Sequence, residues 1–232
     1  MKPKSGFTLT AATLLGLSAC ASQHAPENPT IGHAEQQCLA LKDAKIADTE
    51  IKQVQWSTGG IDADKMSSFT GGSAKEQQVK PHCVVEGEIG ARTGADGKPY
   101  GTRFQLRLPE AWNKHFLFQG GGGLNGFVAP AVGNIPVKTS TAAPALMRGY
   151  AVVSMDGGHP TPTPDFGADQ QARLDFAYQS TGKVTQVAKQ LIAQMYQAAP
   201  EHSYFMGCSN GGREAMMAMQ RYPLEFDGII AA

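Results

Sequence analysis

The clearest periodic pattern in the chain is an apolar stripe between Lys183 and Gln197. Apolar residues recur there at spacings of three and four, the period of a helix with one buried face. They are Val184, Val187, Ala188, Leu191, Ile192 and Met195. We therefore predict a helix over this range, and a weaker pattern predicts a short helix from Gln36 to Ile46.

Several short runs with alternating or β-branched apolar residues predict strands. They are Ile51 to Trp56, Cys83 to Ile89, Thr102 to Leu108, His115 to Gln119, Gly149 to Ser154, Ser203 to Met206 and Phe226 to Ile230. Gly94 to Gly97 predicts a turn, and the Gly- and Ser-rich stretch from Ser57 to Lys80 predicts a long irregular loop. The last elements alternate between strand and helix, which is typical of a parallel sheet with crossover helices.

The segment Gly207-Cys208-Ser209-Asn210-Gly211-Gly212 joins a predicted strand to a predicted helix. This context fits a nucleophile elbow, a sharp turn that exposes one serine hydroxyl. The backbone N–H of Asn210 would then face the oxyanion that forms when Ser209 attacks a carbonyl. A second donor is expected from Gly121 or Gly122, in the run of four glycines that follows the strand at Gln119.

A serine hydroxyl needs a base to take its proton, and histidine is the usual one. In this kind of site the order along the chain is serine, acid, histidine. All six histidines precede Ser209, at positions 24, 33, 82, 115, 159 and 202. We expect His159 to be structural and His82 to lie in a loop, and we expect Met216, Met217 and Met219 to pack in the core. Residues 1–232 thus contain no predicted catalytic base.

The first twenty residues are predicted to be an export signal. Lys2 and Lys4 precede an apolar stretch, Phe7 to Leu17, which is too short to span a membrane. The sequence Leu17-Ser18-Ala19-Cys20 resembles the lipobox of bacterial lipoproteins, which implies a lipid on Cys20; ordinary secretion with cleavage nearby is the alternative. Residues 21–35 then form a tether. Either interpretation places the protein outside the cytoplasm, with membrane contact only through the lipid.

The length of the chain predicts one domain, residues 36–232, and its composition argues against several kinds of binding partner. The 232 residues include 20 basic and 20 acidic ones, so no broad attraction to nucleic acid is expected. No spacing of His, Cys or carboxylate residues predicts a metal site, and the glycine run lacks the Lys-Ser/Thr of a phosphate loop. We expect no metal and no cofactor in this chain.

The cysteine content fits an oxidising compartment. With Cys20 set aside as the lipid anchor, Cys38, Cys83 and Cys208 remain. We expect Cys38 and Cys83 to pair, which leaves Cys208 without a partner in the chain.

The motifs around Ser209 resemble the tannase and feruloyl esterase family. The resemblance rests on residues 207–213 with 220–231, on Leu108-Pro109-Glu110-Ala111-Trp112-Asn113 before the glycine run with Asn125 and Gly126, and on Asp156-Gly157-Gly158-His159. These matches occur in the family's order between Cys38 and Ala232. They imply an α/β-hydrolase fold and hydrolysis of esters of aromatic acids, such as feruloyl or galloyl esters, or terephthalate monoesters.

The resemblance also implies roles for parts that this sequence lacks. In the family, the cysteine that precedes the nucleophile pairs with one beside the catalytic histidine, so Cys208 would have that role. Family members continue with a lid domain, which often carries Ca²⁺, and with the acid and histidine; this sequence stops at Ala232. We therefore expect an incomplete α/β-hydrolase core that is inactive alone.

Two other functions remain open from the residues alone. The chain could be a non-catalytic, lipid-anchored binding protein, or a pseudogene fragment that keeps part of the same fold. Cys208 could instead be a reactive thiol near the amino end of a helix, where thiolates are favoured.

Overall fold

The computed structural model describes residues 31–60, 79–137 and 140–232. The predicted export signal with Cys20 and most of the predicted loop from Ser57 to Lys80 lie outside these residues. Helix α1 (Ile31–Ala40) begins inside the segment predicted to be a tether, residues 21–35. It is helical because Ala34, Cys38 and Leu41 of the following 3₁₀ turn are buried along one face.

Within the described part of the chain, seven strands form one sheet: β1 Thr49–Ser57, β2 His82–Thr93, β3 Pro99–Pro109, β4 His115–Gln119, β5 Ala151–Met155, β6 His202–Gly207 and β7 Gly228–Ala231. Their order in the sheet is β1-β2-β3-β5-β4-β6-β7. Strands β1, β2 and β3 form an antiparallel meander that joins β5, also in antiparallel orientation; β5, β4, β6 and β7 are parallel.

The helices between the parallel strands lie where the sequence places them. A short α2 (Gln170–Leu174) and a π-helical turn (Asp175–Gln179) lead into α3 (Ser180–Tyr196), which connects β5 to β6. Helix α4 (Asn210–Arg221) connects β6 to β7. The predicted α/β class is confirmed. Among the described helices, none has the length and apolar character that crossing a membrane requires.

The central strands β5 and β4 are buried on both faces, as parallel strands usually are. Strand β4 shows the alternation: Phe116 and Phe118 pack into the core that includes α3, whereas Leu117 lies in a second cluster on the other face. All six residues of the α3 stripe are buried, which confirms the predicted helix. The second face is covered by the segment after β4, through residues such as Val132 and Leu146.

The predicted core role of the methionines in α4 is wrong for two of them. Met216 is 64% exposed and Met219 is 54% exposed. The buried face of α4 is formed by small residues, Gly211, Ala215 and Ala218, and the helical period turns these methionines away from it. Small residues let this helix approach the sheet closely.

His82 is a strand residue and not the predicted loop residue. It begins β2 and is fully buried, with Nδ1 donating to the carbonyl of Lys80 at 2.9 Å and Arg107 Nη1 lying 3.4 Å from Nε2. Burial is the main reason that the pKa of His82 is lowered to about 4; the charge of Arg107 contributes to this lowering, and the hydrogen bond to Lys80 opposes it. The imidazole is therefore neutral in the folded protein at pH 7.

The structure confirms the predicted disulfide between Cys38 and Cys83, whose Cα atoms lie 5.5 Å apart. It ties α1 to β2 across 45 residues of sequence.

Replacing both cysteines with alanine should lower the free energy of unfolding by about 4 kcal/mol in the chain-entropy treatment, measured by urea denaturation. In denatured but unreduced residues 21–232, a thiol reagent should modify Cys208 alone; modification of Cys38 or Cys83 would contradict the pairing.

The buried neutral His82 should make the fold sensitive to acid. A histidine with a lowered pKa in the folded state stabilises fully above its unfolded pKa and loses that contribution as the pH falls. Between pH 6.5 and about 4 the loss should reach about 3 kcal/mol. The variant His82→Gln should show a shallower fall in unfolding free energy over this pH range. Equal slopes for the two proteins would contradict the assignment.

Candidate active site

Ser209 lies at a sharp turn between β6 and α4. Its backbone has φ 58° and ψ −120°, a conformation that non-glycine residues rarely adopt and that costs on the order of 1–3 kcal/mol. The side chain is exposed. This is the local geometry of a nucleophile elbow, in which the strained turn points the hydroxyl away from the sheet.

Glycines are required around the turn because three backbones meet there. A Cβ on Gly207 would lie 2.1 Å from the carbonyl oxygen of Gly211, and one on Gly120 would lie 2.9 Å from Gly211 Cα. Strand β6, the start of α4 and the end of β4 therefore touch through main-chain atoms. Two further bonds hold the turn against the chain after β7: Ser209 N donates to the carbonyl of Ala232 at 2.8 Å, and Ala232 N donates to Gly207 at 3.0 Å.

Two of the four N–H groups in the glycine run after β4 have acceptors among the described residues. Gly120 N donates to the carbonyl of Met206, and Gly121 N donates to Glu214 Oε2 at 2.8 Å. The second bond corrects the predicted donor set, because the N–H of Gly121 is already occupied. No residue that the structure describes accepts from the N–H of Gly122 or of Asn210. Asn210 is at the first position of α4, where helical N–H groups have no partner within the helix.

A pocket of about 220 Å³ opens between Ser209 and the glycine run. Gly122 and Ser209 both line it, and apolar side chains form much of its wall. These apolar residues are Phe127, Ala129, Pro136, Met155 and Met206. Two buried polar side chains brace the wall: Gln119 Nε2 donates to Pro130 at 3.1 Å, and Ser154 donates to Ala129.

Among the residues described, no histidine or carboxylate lines this pocket. His115 and His202 pair at the amino ends of β4 and β6, whereas Ser209 follows the carboxyl end of β6. These two histidines are therefore at the opposite edge of the sheet.

His159 lies at the correct edge of the sheet but is held inside the protein. It is fully buried, its Nδ1 donates to the carbonyl of Thr161 at 2.8 Å, and its ring stacks on Phe166 at 4.0 Å. Burial lowers its pKa. These contacts support the structural role that the sequence predicted.

The turn before His159 is fixed by a buried carboxylate. Asp156 accepts hydrogen bonds from Arg103 Nε at 2.6 Å, Arg103 N at 3.1 Å and Gly158 N at 2.9 Å. Burial raises its pKa to about 6, and its hydrogen bonds and Arg103 oppose that rise. Asp156 thus holds the loop after β5 against β3.

Sequence reasoning missed the buried carboxylate of Glu214 in α4. This side chain is 1% exposed and reaches from the elbow helix to the glycine run. One signal was available: Glu214 lies on the same helical face as Gly211, Ala215 and Ala218, where an apolar residue is expected. Cys208, by contrast, is a free thiol of intermediate exposure that lines the pocket.

Comparisons with known proteins agree on one group. A sequence model described as tannase and feruloyl esterase matches residues 83–232. Mono(2-hydroxyethyl) terephthalate hydrolase from Piscinibacter sakaiensis is 44% identical over 168 residues, which are 68% of this chain and 28% of that protein. Feruloyl esterase B from Aspergillus niger is 36% identical over 125 residues, which are 53% of this chain and 22% of that protein.

The fold is similar to that of a solved structure. The crystal structure of feruloyl esterase B from Aspergillus oryzae superposes with a TM-score of 0.68 and 23% sequence identity, over 85% of this chain and 36% of that one. The match therefore spans less than two fifths of the length of each of these three proteins.

The elbow gives a stability prediction with a matched pair of glycines. A Cβ at Gly211 would lie 2.6 Å from the carbonyl oxygen of Gly121, whereas a Cβ at Gly122 would have no neighbour within 4 Å. Gly211→Ala should lower the free energy of unfolding by about 1–3 kcal/mol, since backbone must move to relieve the clash. Gly122→Ala should stay within about 0.5 kcal/mol of the parent. Equal urea midpoints for the two variants would refute the close approach.

Proposed function

We propose a function from one established premise: this chain belongs to the tannase and feruloyl esterase family. The proposed reaction is hydrolysis of carboxylic esters through an acyl-enzyme on Ser209. The observation that carries the proposal is the strained, exposed Ser209 beside a pocket that Gly122 lines. The N–H of Gly122 and that of Asn210, the residue after Ser209, have no acceptor among the described residues.

The geometry supports a role for each group. The hydroxyl oxygen of Ser209 attacks the ester carbonyl while its proton passes to a base. The N–H groups of Asn210 and Gly122 donate to the oxyanion of the tetrahedral intermediate. Collapse of that intermediate expels the alcohol and leaves the acyl group on Ser209, and water then releases the acid. One such donor is typically worth about 3 kcal/mol of barrier.

We propose that residues 1–232 do not supply the base. None of the described histidines lines the pocket beside Ser209. His159 is buried, and His115 and His202 lie at the amino ends of β4 and β6, at the other end of the sheet. The base and the acid that orients it would follow Ser209 in the chain order usual for this arrangement. Residues 1–232 alone are then inactive, because losing the base typically removes about a million-fold in rate.

The proposed substrates are esters of aromatic acids. Phe127, Met155 and Pro136 give the pocket an apolar wall, which suits a flat aromatic ring. The names of two relatives point the same way, since one is a terephthalate monoester hydrolase and the other a feruloyl esterase. We further propose export from the cytoplasm with a lipid on Cys20, on the basis of the first twenty residues.

The experiment compares the protein expressed from its own gene with residues 21–232 and with the variant Ser209→Ala. The gene product should hydrolyse methyl ferulate or a terephthalate monoester, and Ser209→Ala should reduce kcat by about a million-fold while leaving the melting temperature unchanged. Residues 21–232 should show no turnover above that variant. Hydrolysis by Ser209→Ala at the parent rate would overturn the assignment of the nucleophile, and Ser209-dependent turnover by residues 21–232 would overturn the missing base.

A further inference from the structure

A chain of side-chain hydrogen bonds crosses the elbow from Arg213 to Glu214. Arg213 Nε donates to Asn210 Oδ1 at 2.7 Å, and Asn210 Nδ2 donates to Asn125 Oδ1 at 2.5 Å. Asn125 Nδ2 donates to Glu214 Oε1 at 2.8 Å, and Glu214 Oε2 accepts the N–H of Gly121 at 2.8 Å. The chain therefore begins and ends on α4 and passes through the loop after β4.

The direction of every bond in this chain is fixed by its two ends. A guanidinium donates and never accepts, whereas an ionised carboxylate accepts and never donates. If the amide of Asn125 turned over, its nitrogen would face that of Asn210; if Asn210 turned as well, its nitrogen would face Arg213. Each alternative places two donors together, so only the observed orientation satisfies all the groups.

Glu214 is placed to hold two parts of the site at once. It is buried, both oxygens accept from N–H groups, and Arg213 Nη2 is a cation 3.9 Å from Oε1. Burial raises the pKa of Glu214, while Gly121, Asn125 and Arg213 oppose that rise. A buried carboxylate is costly, and the hydrogen bonds it accepts offset that cost.

We propose that Glu214 is a positioning residue that sets the distance between the two oxyanion donors. This inference rests on the proposed function of Ser209. One oxygen of Glu214 holds the peptide between Gly120 and Gly121, one residue before the N–H of Gly122, and the other acts through Asn125 on the side chain of Asn210. Donors must lie within about 0.5 Å of their productive positions, so a link between the two walls controls transition-state stabilisation.

The test exchanges the charge between two partners. In Glu214→Gln, the new amide places a donor against either Asn125 or Gly121. In Asn125→Asp, two carboxylates face each other. In the double variant, the amide introduced at position 214 is expected to donate to the carboxylate introduced at position 125 and still accept from Gly121. That carboxylate still accepts from Asn210, so every bond is retained with the charge moved by one position.

Kinetics are measured on the protein expressed from its own gene with methyl ferulate, and kcat is normalised to the Ser209 that reacts with a fluorophosphonate. Each single variant should lower kcat by at least about tenfold with KM within about twofold, because an interaction made only in the transition state is weakened. The double variant should recover kcat to within about threefold of the parent. Glu201→Gln removes a carboxylate from an exposed pair with Lys114 and should leave kcat unchanged.

A second readout follows the contact itself, the hydrogen-exchange protection of the Gly121 amide. Protection should fall in each single variant and return in the double variant. Unchanged kcat in both single variants, or a double variant no better than the worse single one, would overturn the positioning role. Unchanged protection of Gly121 would also overturn it. Absence of Ser209-dependent turnover in the parent would instead overturn the proposed function, and the inference with it.

Discussion

The close approach of three glycine backbones is the constraint on which the candidate site depends. Gly120 directly follows β4, Gly207 ends β6 and Gly211 is in α4, and no side chain fits between them. Because the contact is main chain to main chain, the glycine run lies directly against the first turn of α4. Gly122 of the run and Ser209, which directly precedes α4, then line the same pocket.

The strained backbone of Ser209 is tolerated because the surrounding structure fixes it from both sides. Before it, Gly207 is in β6 and pairs with β7; after it, α4 begins at once. The bond from Ser209 N to Ala232 prevents the turn from relaxing into an ordinary loop. Strain of this kind persists only where neighbouring elements over-determine the conformation. Because this end of the sheet is rigid, the backbone of Ser209 holds its hydroxyl in a fixed direction.

Sequence patterns were sufficient for most of the strands and helices and for the turn at Ser209. The α3 stripe, the strands and the elbow are local features, each readable within about a dozen residues, and the disulfide follows from compartment and count. The tie from Glu214 to Gly121 was not readable, because it joins residues 93 positions apart and depends on the sheet order that places β4 beside β6. Met216 and Met219 were misread because hydrophobicity alone does not show which face of α4 approaches the sheet.

Two buried carboxylates at the carboxyl end of the sheet, Asp156 and Glu214, hold the loops that form the candidate site. Asp156 fixes the loop after β5 and Glu214 fixes the loop after β4, each by accepting N–H bonds from backbone that would otherwise be free to move. Neither carboxylate needs the base of Ser209 in order to do this. The side of the site that would stabilise the oxyanion is therefore organised by residues 1–232 themselves. The proposed function further requires a base for Ser209, and no histidine or carboxylate among the described residues lines the pocket.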